Sequence, residues 1–143
     1  MISASMLKSD RIVITGTDFD RLNRLAQSPR YRVTHSTLIA DLKDELERGD
    51  VVSPARTPKG VVTMNSRVRV RDLSTDESET YTLVYPDQAN INEEKLSVLA
   101  PLGTALLGTR AGQTIEVNAP GGLRRLKVER VLYQPEAAGD YHL

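Results

Sequence analysis

Residues Arg67-Val68-Arg69-Val70-Arg71 alternate arginine with valine, and this stretch constrains the fold most tightly. Period two puts the valines on one face and the guanidiniums on the other, the pattern of a half-buried strand rather than a helix. Asp72-Leu73-Ser74-Thr75-Asp76 supplies turn chemistry, and Thr80-Tyr81-Thr82-Leu83-Val84-Tyr85 returns as a second strand. Charge follows the same division. From Ala55 to Arg71 every ionisable residue is basic, and from Asp72 to Glu94 every one is acidic. Folding the hairpin brings Glu77 and Glu79 toward the arginines, where opposite charges across strands contribute roughly 0.2–1 kcal/mol. The functional alternative is a basic patch for phosphate or an acidic partner.

The first fifty residues read at helical spacing instead. Arg11-Ile12-Val13-Ile14-Thr15 forms a strand closed by Gly16, and Thr17 with Asp20 resembles a capping box. Phe19, Leu22, Leu25 and Ala26 then form an apolar stripe that Ser28-Pro29 stops. A second helix runs from about Ser36 to Arg48, with Leu38, Ile39, Leu42 and Leu46 on its apolar side and Gly49 at its end. Two amphipathic helices with a short connection pack antiparallel, as a short coiled-coil hairpin. Each arm is then about 15–20 Å long. The tip, Ser28 to His35, is basic and carries no carboxylate. Val51 to Gly60, with two prolines and a glycine, reads as a linker. The expected division is therefore 1–52, strand plus helical hairpin, and 53–143, a second domain.

Beyond the strand hairpin lie a polar loop from Pro86 to Lys95 and the apolar stretch Leu96-Ser97-Val98-Leu99. Pro101 suits the first helical position and Gly108 the C′ position, which predicts a compact buried helix of about two turns. Thr114-Ile115-Glu116-Val117 and Leu126 to Tyr133 are strands, turned by Pro120-Gly121-Gly122. The class is α+β: a short N-terminal helical hairpin, then a bent antiparallel sheet wrapped around one short helix.

Several chemistries are excluded or weakened by composition. The 143 residues contain no cysteine, so there is no disulfide, thiolate metal site or thiol nucleophile. The two histidines, His35 and His142, are far apart in sequence. Equal numbers of basic and acidic residues, 19 of each, argue against a dedicated nucleic-acid binder. Gly103, Gly108 and Gly112 match no phosphate-cradling fingerprint, and no Gly-x-Ser-x-Gly elbow occurs. Met1-Ile2-Ser3-Ala4-Ser5 has no long apolar run behind it, so no secretory leader is expected. No stretch approaches the ~20 apolar residues of a membrane span. The expectation is a cytoplasmic, monomeric, non-enzymatic binding protein with no cofactor and no membrane association.

Two clusters remain as candidate sites. Asp41, Asp44 and Glu45 share a face of the second helix and could bind Mg²⁺ through carboxylate oxygen. The plain alternative is a solvated face opposite Leu38, Leu42 and Leu46. Arg30, Tyr31 and Arg32 at the hairpin tip are of the residue types most enriched in interface hot spots. They read as a partner-binding tip, or as an ordinary exposed loop.

From Val62 to Tyr133 the chain resembles the C-terminal domain of the bacterial Gre transcript-cleavage factors. The resemblance runs through Val68-Arg69-Val70-Arg71-Asp72-Leu73 with Thr80-Tyr81, then Leu96 to Gly108, Gly112, Ile115-Glu116-Val117 and Pro120-Gly121-Gly122. A narrower resemblance is to the regulator of nucleoside diphosphate kinase (Rnk) family, a Gre relative with a shortened hairpin. It rests on Val62 to Val68, Leu83-Val84-Tyr85-Pro86 and the tail Leu132 to Tyr141. The resemblance implies an FKBP-like fold for 53–143 and RNA polymerase as partner, while the charge balance leads to the expectation of no direct sequence-specific nucleic-acid binding. It further implies docking at the rim of the secondary channel, the hairpin pointing inward. Gre factors carry acids at the tip of a long coiled coil, which help hold a catalytic Mg²⁺. This chain has short arms and Arg30 and Arg32 at the tip, which implies competition for the channel without cleavage. The alternatives are an FKBP-like peptide chaperone or prolyl isomerase, or indirect control of nucleoside diphosphate kinase levels.

Overall fold

The computed structural model describes residues 12–143. Arg11, placed in the first strand by its sequence, lies outside the described residues, as does the segment Met1–Ser5. Strand β1, Val13–Thr15, is followed by helices α1 (Gly16–Ala26), α2 (Pro29–Thr34) and α3 (Ser36–Glu47), then by strand β2 (Asp50–Val52). β1 and β2 pair in parallel, Ile14 opposite Val51. Val51 and Val52, expected in the linker, are thus strand residues. Parallel strands need a crossover of a dozen or more residues, which the three helices provide. The tip differs too. Instead of a loop it is helix α2, opened by Pro29, whose fixed φ suits the first helical turn.

The second part holds β3 (Arg67–Asp72), β4 (Ser78–Val84), β5 (Lys95–Ser97), α4 (Pro101–Leu106), β6 (Thr114–Ala119), β7 (Gly122–Tyr133) and α5 (Pro135–Ala138). The sheet order is β5-β4-β3-β7-β6. It is mixed rather than wholly antiparallel, because β5 runs parallel to β4. Two register shifts between β3 and β7 bend the sheet, as extra residues in one strand of a pair do.

The alternation in β3 holds: Val68 and Val70 are buried, while Arg67, Arg69 and Arg71 are not. The charge pairing does not follow the expected partners. Register puts Glu79 opposite Val70 and Ser78 opposite Arg71, so Glu79 binds Arg124 at 2.8 Å instead, and exposed Glu77 lies in the turn just before β4. The acids that meet the β3 arginines are Glu129 of β7, 3.6 Å from Arg69 and 3.7 Å from Arg71, together with Asp76, 3.6 Å from Arg71, and Glu94, 3.3 Å from Arg67.

One core runs through both parts. Leu22 and Ala26 of α1 and Ile39, Leu42 and Leu46 of α3 cluster with Met64, Val68, Leu83, Leu106 and Leu126. Helix α4 is buried along Gly103, Thr104, Ala105 and Leu106. Gly108 follows it at φ +76°, and a Cβ there would meet the Cβ of Ile12 at 2.5 Å. Gly112 also has positive φ, +98°, but open space around it. Backbone strain is common to the two positions, and only Gly108 adds a clash with the residue leading into β1. Gly108→Ala should lower unfolding free energy by about 2–4 kcal/mol. Gly112→Ala should lose about 1–2 kcal/mol. Urea midpoints check this, and equal losses would refute the steric role of Ile12.

Candidate functional site

The junction between the helices and the sheet is built around one carboxylate. Thr15, not Thr17, caps α1: its Oγ1 accepts the Asp18 N–H at 3.0 Å. The cap thus falls two residues before the expected Thr17, and in place of a reciprocal box the Asp18 carboxylate turns inward, where it is 1% exposed. Its Oδ2 accepts the Met64 N–H at 3.0 Å, and its Oδ1 accepts from Arg21 Nη2 at 2.8 Å. The same Nη2 donates to the Leu143 main-chain carbonyl at 2.8 Å, and the guanidinium lies 5.2 Å from the Tyr85 ring centroid. Burial pushes the Asp18 carboxyl up to about 6, outweighing the Met64 N–H and Arg21, which pull it down.

The tail docks on the same junction. Thr63 Oγ1 donates to Glu136 Oε1 at 2.6 Å. Gln134 Nε2 donates to the carbonyls of Pro58 and Val61 at 2.9 and 2.8 Å. The Gln134 bonds satisfy two carbonyls in the stretch between β2 and β3, which lies outside the named strands.

At the tip, Arg30 and Arg32 are exposed, and the Arg30 guanidinium stacks 5.3 Å from the Tyr31 ring centroid. Tyr31 is partly buried against the core and 5.8 Å from the His35 ring. Thr34 Oγ1 donates to the Arg30 carbonyl at 2.9 Å, tightening the short helix. Arg30 and Tyr31 therefore share one structured surface, which Arg32 does not join. A cavity of about 480 Å³ opens beside them, lined also by Arg21, Arg24 and Leu25 of α1 and by Tyr85, Pro86, Asp87 and Gln88. The sequence offered part of this grouping, since Arg21 and Arg24 lie three apart on one helix face. Tyr85 and Asp87, distant in the chain, carried no such signal.

The acidic candidates separate. Asp41 and Asp44 are exposed, but Glu45 is 3% exposed and lies 3.6 Å from Arg48. Burial and then the charge of Asp44 hold the Asp41 carboxyl above its usual range. All three line a second cavity of about 360 Å³ against Pro101, Thr104 and Ala105 of α4. Glu45 is thus not part of a solvated face. Among the described residues no three His, Cys, Asp or Glu side chains converge to hold a metal.

Residues 57–133 match the family model of the GreA/GreB transcription elongation factor C-terminal domain, and residues 10–52 match that of the Rnk N-terminus. The regulator of nucleoside diphosphate kinase of Escherichia coli K12 is 46% identical over 134 residues, 92% of this chain and 96% of that protein. Transcription elongation factor GreA of Hyphomonas neptunium is 34% identical over 67% of this chain and 61% of its own length. Among solved structures, a prokaryotic GreA/GreB elongation factor from Nitrosomonas europaea superimposes with a TM-score of 0.72. It is 40% identical, over 87% of this chain and all of that one.

Asp18 makes stability pH-dependent with a definite sign. Its folded value, about 6, lies above the ordinary 3.8, so between these values the folded chain binds more protons than the unfolded one. The contribution is complete below about pH 4 and lost as pH rises through 6. Denaturation of wild type and Asp18→Asn from pH 4 to 7 should show wild type losing on the order of 2–3 kcal/mol relative to the variant. A pH-independent difference would refute the burial of a titrating carboxyl.

Proposed function

The chain belongs to the Rnk family of regulators, which carries the GreA/GreB C-terminal domain, and from that membership we propose that it is a Gre-related transcription regulator binding RNA polymerase. In this reading residues 53–143 are an FKBP-like domain that docks at the rim of the secondary channel. The N-terminal part, a strand and short helical hairpin in the division at residue 52, supplies the arm that points into it. The chain competes with Gre factors, acts without catalytic residues or a cofactor of its own, and works as a monomer in the cytoplasm. Among the described residues no helix is long and apolar enough to cross a membrane.

One observation carries the non-cleaving part of this reading: tip helix α2 presents Arg30, Tyr31 and Arg32 and contains no carboxylate. A Mg²⁺ ion is held by oxygen ligands, commonly carboxylate, and guanidinium groups repel it. A tip of this composition occupies a channel rather than completing a metal site. Arg and Tyr are also the side chains that anchor interfaces, through bidentate bonding and large amphipathic area.

A fluorescence competition assay tests the proposal. Labelled Gre factor should be displaced from polymerase by the wild-type chain, and label fully bound at saturation would overturn the reading. The double variant Arg30→Ala/Arg32→Ala should compete about tenfold less well or worse. Addition to backtracked complexes should release no cleaved transcript, and robust cleavage would overturn the non-cleaving assignment.

A further inference from the structure

We infer that the cavity between α1, α2 and the Pro86–Gln88 turn is a binding site for the phosphoryl group of a small phosphorylated molecule. Three guanidiniums line it, those of Arg21, Arg24 and Arg30. Arg21 is matched by Asp18, whereas Arg24 and Arg30 form no ion pair among the described residues. Solvated surface arginines alone would carry no site. Here two donors of the lining residues, Arg21 Nε and Tyr85 Oη, are buried and have no hydrogen-bond acceptor. Such a group is destabilising when left unpaired, and native structures leave few of them without a reason.

The chemistry of the donors selects the ligand class. Burial holds the Tyr85 phenol well above its usual range, so it stays protonated and donates. Two elements, α1 and α2, contribute the guanidiniums, and Tyr85, which leads into the Pro86–Gln88 turn, carries a further donor without an acceptor. A carboxylate presents two oxygens in one plane and suits a single guanidinium fork. A phosphoryl group has three outward oxygens and accepts from several directions at once. The volume, about 480 Å³, falls within the range of small-molecule pockets. Asp87, exposed on the same lining, favours a ligand whose remainder offers a hydroxyl or amino donor over one that carries a carboxylate there. The site shares Arg30 and Tyr31 with the proposed polymerase-contacting tip, so the isolated full-length chain, with no polymerase present, tests it by itself.

Calorimetric titration with pyrophosphate at low salt should show saturable one-site binding. Arg24→Gln/Arg30→Gln should weaken it at least tenfold and Tyr85→Phe several-fold, with cooperative melting retained. Should the double variant not melt cooperatively, Arg30→Gln alone, on the exposed tip, makes the same comparison. No saturable binding, equal binding by the variants, or citrate binding as tightly as pyrophosphate would overturn the phosphoryl assignment. A single-stranded RNA that binds more tightly than pyrophosphate and displaces it would place the phosphate in a nucleic-acid backbone and overturn the small-molecule assignment.

Discussion

Removing an ionised carboxyl from water is so unfavourable that a protein keeps one inside only where donors are fixed around it. At Asp18 those donors come from two places at once, the Met64 N–H ahead of β3 and Arg21 one turn along α1. Arg21 in turn reaches the Leu143 carbonyl and the Tyr85 ring. The helical part is therefore not a free appendage. It is joined to the sheet by directional bonds in addition to the shared apolar core. Because a buried charge is destabilising when a partner moves away, these contacts fix the position of α1 more sharply than packing alone would. The tip and its cavity inherit that fixed geometry.

Much of the architecture was legible wherever one local rule acted alone. The Arg-Val alternation marked β3, the Leu38-Ile39-Leu42-Leu46 stripe marked α3, and Pro101 and Gly108 bracketed α4, because periodicity and backbone constraint are properties of neighbouring residues. What was not legible depended on pairing between distant segments. Val51 and Val52 look like part of a proline-punctuated linker until β1 lies beside them. Glu79 looks like a partner for the β3 arginines until register places it opposite Val70. Asp18 reads as an ordinary first-turn acid, and nothing local shows that Met64 will approach it. The tip residues Arg30 and Tyr31 were visible as a cluster, whereas their convergence with Arg21, Arg24 and Tyr85 required the fold.

The electrostatics of the arm differ along its length. Helix α3 carries Asp41 and Asp44 on an exposed side, and the tip helix α2 carries Arg30 and Arg32. Glu45, the third acid, is drawn into packing beside Arg48. The exposed acids thus sit back along α3 and the tip itself carries only positive charge, which is the reverse of what a tip that shares a cation would need. The neutrality of the whole chain, 19 charges of each sign, conceals this ordering.

The parallel pairing of β1 with β2 has a consequence for how such an arm can change. The chain enters and leaves the helical segment through adjacent strands, closed at that point by three paired positions. Everything distal to the clasp is a cassette with a common mouth. Adding whole turns to α1 and α3 in step would extend the reach of the tip without altering the spacing of the strands at its base. Reach and docking become separable variables, so one sheet scaffold can carry arms of different length, each ending in its own chemistry.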